Sequence, residues 1–100
     1  MSAVVIQRAL FRGRVQGVGF RDFVERQAGH AGVEGWVRNR RDGSVEAVFS
    51  GPLDRVDATI DACRRGPRAA IVEAVEVTAA GEAELALRPA GSRFAILVTI

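Results

Sequence analysis

The sequence predicts an α+β fold in which one antiparallel-rich sheet is covered on one face by two helices. Three observations predict it. Apolar residues alternate with period two in several stretches and recur at three- to four-residue spacing in two others. These stretches follow one another in the order β-α-β-β-α-β, with an extra strand at the end. Asp42-Gly43 separates two β-rich runs, which is a strong signal for a tight hairpin. Two helices on one face of such a sheet make a ferredoxin-like sandwich. A chain of 100 residues is expected to form one domain over 1–100, with one modest core.

Each element has its own signature. In "VVIQRALFRGRV", Val5, Ala9, Phe11 and Val15 share one face, while Arg8, Arg12 and Arg14 share the other. That is a half-buried strand. From Arg21 the period changes, and Phe20, Phe23, Val24, Gln27, Ala28 and Ala31 form a helical stripe with Asp22, Glu25 and Arg26 outside it. Gly29 weakens this helix and Gly32 ends it. "VEGWVRNRRDGSVEAVF" reads as the hairpin, with Val45, Ala47 and Phe49 on one face. "SGPLDRVDATIDACRRGP" reads as a second helix, with Pro52 in its first turn and Gly66-Pro67 stopping it. Its buried stripe is expected to be Leu53, Val56, Ile60 and Cys63. "AAIVEAVEVTA" is a fourth strand. "ELALR" reads either as a short edge strand or as a loop. "RFAILVTI" is expected to close the sheet, with Phe94, Ile96 and Val98 on one face.

Composition narrows the function. All 14 Lys-plus-Arg residues are arginine. With no lysine, a phosphate-loop lysine, a Schiff base and pyridoxal phosphate attachment are excluded. One cysteine cannot close an internal disulfide, and with one histidine it cannot make a Cys/His zinc site. No metal and no cofactor are expected. A net charge of +2 does not demand nucleic acid. No apolar run approaches the ~18 residues of a membrane span. The opening "MSAVVIQRALF" is broken by Gln7 and Arg8 before it could serve as a secretory signal. A soluble, cytoplasmic protein is expected, with no membrane partner.

The stretch "GRVQGVGFRDF" feeds the first helix. Gly17 and Gly19 lack Cβ atoms, so their backbone can approach a ligand closely. No Ser, Thr, Asp or Asn stands between Val15 and Arg21 to cap the helix, whereas Ser50 and Asp54 lie near the start of the second. The first helix is therefore expected to leave amide donors free. Beside Arg21 they would suit a phosphate group. The bland alternative is a glycine-rich β–α turn with a surface arginine. Asp22 counts against an anion site, since its carboxylate could itself interact with the helix start. The loop is not a dinucleotide fingerprint, because Asp22 stands where the third glycine would be needed. Asn39, near the end of the second strand, could accept a hydrogen bond from a water, or could simply initiate the turn.

"GRVQGVGFR" followed by "GWVRNRRDGSVE" resembles the two signatures of the acylphosphatase family, in order and spacing. The likeness extends more loosely through "CRRGPRAAIVEAVEV" and fades in "AAGEAELALRPAGSR", which leaves the sheet edge over residues 80–93 open. The resemblance implies a ferredoxin-like fold and a hydrolase that converts acyl phosphates to carboxylate and inorganic phosphate. It implies that Arg21 binds phosphate and Asn39 orients the attacking water. It also implies that Gln16, Gly17, Val18, Gly19 and Phe20 form the cradle whose amides hold the phosphoryl oxygens. The expected partners are an acyl phosphate substrate and inorganic phosphate, as product and inhibitor. The chain is expected to be monomeric.

The remaining residues have plainer readings. His30 lies at the far end of the first helix, where partial positive charge suits the dipole. Cys63 reads as a small buried hydrophobe, and Trp36 as packing. Arg40, Arg41, Arg64, Arg65 and Arg68 read as solvated surface. Acylphosphatase-like domains also open larger carbamoyl-transfer proteins, but this chain ends after its last strand, so a stand-alone enzyme is preferred. RNA recognition would place aromatics on the open face of central strands, yet Phe11 and Phe49 share the buried parity and only Trp36 does not.

Overall fold

A computed structural model describes residues 3–100. The elements are β1 (Val4–Arg14), α1 (Phe20–Ala31), β2 (Glu34–Asn39), β3 (Val45–Pro52), α2 (Leu53–Arg65), β4 (Ile71–Ala79), α3 (Glu82–Leu85) and β5 (Phe94–Ile96). The β-α-β-β-α-β order expected from periodicity is present. The five strands form one sheet in the order β4-β1-β3-β2-β5. β1 lies antiparallel to both β3 and β4, β2 is antiparallel to β3, and β5 runs parallel to β2.

Strand register divides the side chains between two faces. Ala9 pairs with Ala47, Phe11 with Val45, Val37 with Ala47, and Asn39 with Val45. These residues share the face on which α1 and α2 pack. The main core there joins Ala9, Phe11, Val15, Val37, Val45, Ala47 and Phe49 to Phe20, Val24 and Ala28 of α1 and Val56, Ile60 and Cys63 of α2. Full burial of a Val or Phe side chain contributes about 1.5–3 kcal/mol. Burial drives the Cys63 thiol up to a pKa of about 12, so it stays protonated and packs as a hydrophobe.

The opposite face carries a small second cluster of Trp36, Val48 and Leu85. Beside it the Glu46 carboxylate, 4% exposed, accepts hydrogen bonds from Arg8, Arg38 and Arg40. Burial pushes the Glu46 pKa up, but the Arg8 and Arg38 hydrogen bonds and charges outweigh it and hold the carboxyl below its ordinary 4.5. Arg40 is thus half-buried and ion-paired rather than solvated surface.

Four further sequence expectations are corrected. Of "ELALR", the first two residues close a one-turn helix over Glu82–Leu85, and residues 86–88 form the turn that the loop alternative expected. Glu84 Oε2 accepts the Gly81 N–H at 2.8 Å, the Trp36 indole donates to the Glu84 carbonyl at 2.7 Å, and Leu85 seals Trp36. The last strand is only Phe94–Ile96, and Val98, expected beside them, is 87% exposed. Beyond Ile96 the chain follows β2 through Leu97 N–H to Val37 O (2.9 Å) and Ile100 N–H to Asn39 O (3.2 Å). Pro52 is the N-cap of α2 rather than part of its first turn. Leu53 is 39% exposed, and Thr59 takes a place in the buried stripe because its hydroxyl donates to the Arg55 carbonyl at 2.8 Å. No helix among the described residues is long and apolar enough to cross a membrane.

Candidate active site

The turn from β1 into α1 is held from both sides. Phe20, the first residue of α1, is 1% exposed and meets Phe11 edge-on with ring centroids 5.1 Å apart. Val18 packs against the same core. With alternate residues anchored inward, Gly17 and Gly19 are left on the outside of the loop, both exposed. Their φ angles are 73° and 77°, in the left-handed region that an L side chain adopts only at a cost. A Cβ at either position would meet no protein atom within 4 Å, so conformation rather than crowding demands glycine.

Gly19 is the N-cap of α1 and supplies no side-chain cap. Among the described residues, no backbone N–H from Gln16 to Asp22 donates to another backbone carbonyl, although Phe23 N–H reaches Gly19 O at 3.1 Å. The donors at this helix end therefore face outward, with the positive end of the helix dipole behind them.

These donors open on a cleft of about 300 Å³ lined by Val15, Gly17, Gly19, Phe20, Arg21, Asp22, Asn39 and Ile96. Arg21 is the one cation in that lining, and it has no ion-pair partner among the described residues. Asn39 arrives from the last position of β2, whose alternation turns Gly35, Val37 and Asn39 toward the helices. Its Oδ1 is buried and has no hydrogen-bond partner among the described residues. A buried acceptor without a partner costs about 1–3 kcal/mol, which a donor entering the cleft would offset. An outward fork of amides, a free guanidinium and an unsatisfied carboxamide oxygen can together hold a tetrahedral anion and a water.

Gly17, Gly19, Phe20, Arg21 and Asn39 of the expected set thus line one cleft, while Gln16 and Val18 do not contribute to its wall. Gln16 has a separate task. Its Nε2 donates to Arg40 O at 2.7 Å and to Ser44 O at 2.8 Å, tying the loop to the hairpin just beyond Asn39. The hairpin end is further fixed by Asp42, whose Oδ1 accepts the Ser44 hydroxyl at 2.6 Å and the Ser44 N–H at 2.9 Å. Those bonds, the hydroxyl's first, hold the Asp42 carboxyl below its ordinary 3.8. Sequence reasoning missed the strut made by Gln16 and the place of Ile96 in the wall. A glutamine between Val15 and Gly17 carries no local signal for a contact 24 residues away. Ile96 enters only because β5 pairs with β2, Ile96 opposite Val37. His30 is exposed at the far end of α1, away from this cleft.

The sequence and fold have close counterparts. The acylphosphatase family model matches residues 7–96. An acylphosphatase of Bradyrhizobium diazoefficiens is 51% identical over 100 residues, covering 100% of both chains. One from Nitrobacter hamburgensis is 55% identical over 97 residues, covering 96% of this chain and 97% of that one. The crystal structure of acylphosphatase from Bacillus subtilis superimposes with a TM-score of 0.80 at 34% identity, covering 95% of this chain and 99% of the other. With a match that spans nearly the whole chain, this protein belongs to the acylphosphatase family, enzymes that hydrolyse acyl phosphates.

Proposed function

We propose that Arg21 and the amides of Gly17, Gly19 and Phe20, the part of the 16–20 loop that lines the cleft, grip the phosphoryl group of an acyl phosphate, and that Asn39 orients the water that attacks it. The observation that carries this reading is the convergence in one cleft of a free guanidinium, unpaired amides and a buried acceptor without a partner. An acyl phosphate is a mixed anhydride whose leaving group is a carboxylate, so the reaction asks for little acid catalysis. Phosphoryl transfer is mostly positioning and charge stabilisation, which is what these groups supply. Water held by Asn39 Oδ1 forms the new P–O bond as the bond to the acyl oxygen breaks. The acyl group departs as carboxylate with the bonding electron pair. A phosphoryl oxygen takes the water proton, and inorganic phosphate remains in the cradle.

Gln16 serves this arrangement by its strut, because Arg21 and Asn39 must keep a fixed separation. Residues 1–100 act as one acylphosphatase-like domain, a cytoplasmic monomer working on a small molecule without nucleic acid. The test is hydrolysis of benzoyl phosphate with inorganic phosphate as competitor. Competitive inhibition that disappears with Arg21 is expected. Inhibition that survives Arg21→Gln unchanged would place the phosphate elsewhere.

A further inference from the structure

Asp22 lines the same cleft as Arg21, and it is the one carboxylate in that lining. It occupies the third position of α1, from which an acidic side chain can reach back to the N-cap amide. It makes no such bond: among the described residues Asp22 has neither a cap hydrogen bond nor an ion pair. Nor does it face Arg21, since consecutive helical residues point about 100° apart. An exposed, unpaired carboxylate therefore borders a site whose other polar groups all favour an anion.

From this juxtaposition we infer that Asp22 sets the affinity of the cleft for phosphate downward and so speeds the departure of inorganic phosphate. The inference rests on the phosphate reading of the cleft given above. The product carries the same phosphoryl oxygens as the substrate, so amides and a guanidinium alone would retain it. A fixed negative charge opposes the retention of either, so it lowers the hold of the cleft on the product as well as on the substrate. The interaction is Coulombic and acts across an exposed cleft, so it is modest in water and is screened within about 10 Å at 0.1 M salt. The same carboxylate also complements the helix dipole, and a purely structural role would show in stability alone.

Inorganic phosphate titration and competitive inhibition of benzoyl phosphate hydrolysis test the inference on native protein, Asp22→Asn, Asp22→Glu and Arg21→Gln. Asp22→Asn is expected to lower the inhibition constant of inorganic phosphate by about three- to tenfold at low ionic strength. KM should fall with it, and the gain should shrink toward nothing at about 0.5 M salt. Asp22→Glu should keep the native constant. An Asp22→Asn protein with an unchanged or raised inhibition constant overturns the inference. So does tighter binding that persists at high salt, since that would reflect packing rather than charge. Arg21→Gln separates the two levels of the argument. If it weakens phosphate binding while Asp22→Asn changes nothing, the role of Asp22 alone falls. If it leaves phosphate binding intact, the phosphate reading falls and the inference with it.

Discussion

The starts of α1 and α2 pose the same problem and solve it differently. Neither helix has a side-chain cap at its N-terminus. At α2 two of the first three donors are nevertheless taken: Leu53 N–H donates to Ala3 O at 2.8 Å, and Arg55 N–H to Asp54 Oδ1 at 3.0 Å. Pro52 contributes no N–H to be satisfied. At α1 no N–H from Gln16 to Asp22 finds a backbone carbonyl among the described residues, and the cleft lies in front of them. The missing cap residue is therefore a weak sign of a site. What separates the two ends is whether the donors stay open and whether a cation and an acceptor converge with them. Ser50 and Asp54, expected from the sequence to distinguish α2 by capping it, do so only through Asp54, and from a position inside the helix.

The sharpest way to break this comparison is Arg21→Gln. It removes the one cation of the cleft and leaves the fold without a lost ion pair. Turnover of benzoyl phosphate should fall by about 10³-fold or more, in the range found for arginines that stabilise phosphoryl transfer. Circular dichroism and thermal unfolding should stay close to native. Turnover within tenfold of native would mean that the α1 start is no more a site than the α2 start.

Asn39→Ala comes next. It removes the carboxamide while leaving the amides and Arg21 in place. The expected result is about a 10²-fold loss of kcat with KM changed less than about threefold, as for a misplaced reactant rather than a lost anion site. Stability should hold or rise slightly, because the deleted Oδ1 is a buried acceptor without a partner. A rise in KM with kcat intact would assign Asn39 to binding instead of water placement.

Gly19→Ala tests the backbone itself. The position has φ 77°, and an added Cβ meets no protein atom within 4 Å. The left-handed conformation alone costs an L residue about 1–2 kcal/mol. For a domain of this size each 1 kcal/mol lowers Tm by about 4–8 °C. If the loop relaxes to escape the strain, the amides lose their common direction, and kcat/KM should drop by about tenfold. A fall in Tm with full activity would show that amide direction matters less than Arg21.

Much of this was legible in the chain, and the remainder has identifiable physical reasons. Period-two and helical patterns located β1, α1, the hairpin and α2 because each has one buried face. The two signatures brought Arg21 and Asn39 forward, and the structure sets them in one cleft. Three things depended on tertiary contact and left no local mark. α3 exists because Trp36 needs a cover and a carbonyl for its indole. Glu46 alternates outward on β3 as if for solvent, yet is buried because Arg8 and Arg38 close over it from both neighbouring strands. Ile96 reaches the cleft through a parallel pairing of three residues that periodicity cannot reveal.

Asp54→Ala is the counterpart at the other helix and carries the smallest effect. It deletes the acceptor of the Arg55 N–H and the acidic residue of the first turn of α2. The bond is exposed, so water replaces it, and the loss combines a weak hydrogen bond with a dipole interaction of about 0.3–1 kcal/mol. Leu53 N–H keeps its partner Ala3 O, which limits fraying to the end of one turn. A Tm lowered by only a few degrees is expected, with kcat and KM for benzoyl phosphate unchanged. The freed Arg55 amide should not acquire affinity for phosphate, because no residue of the α2 start lines the cleft that holds Arg21 and Asn39. Phosphate binding to the Asp54→Ala protein beyond the native single site would show that an open helix end suffices by itself, and the contrast between the two helices would collapse.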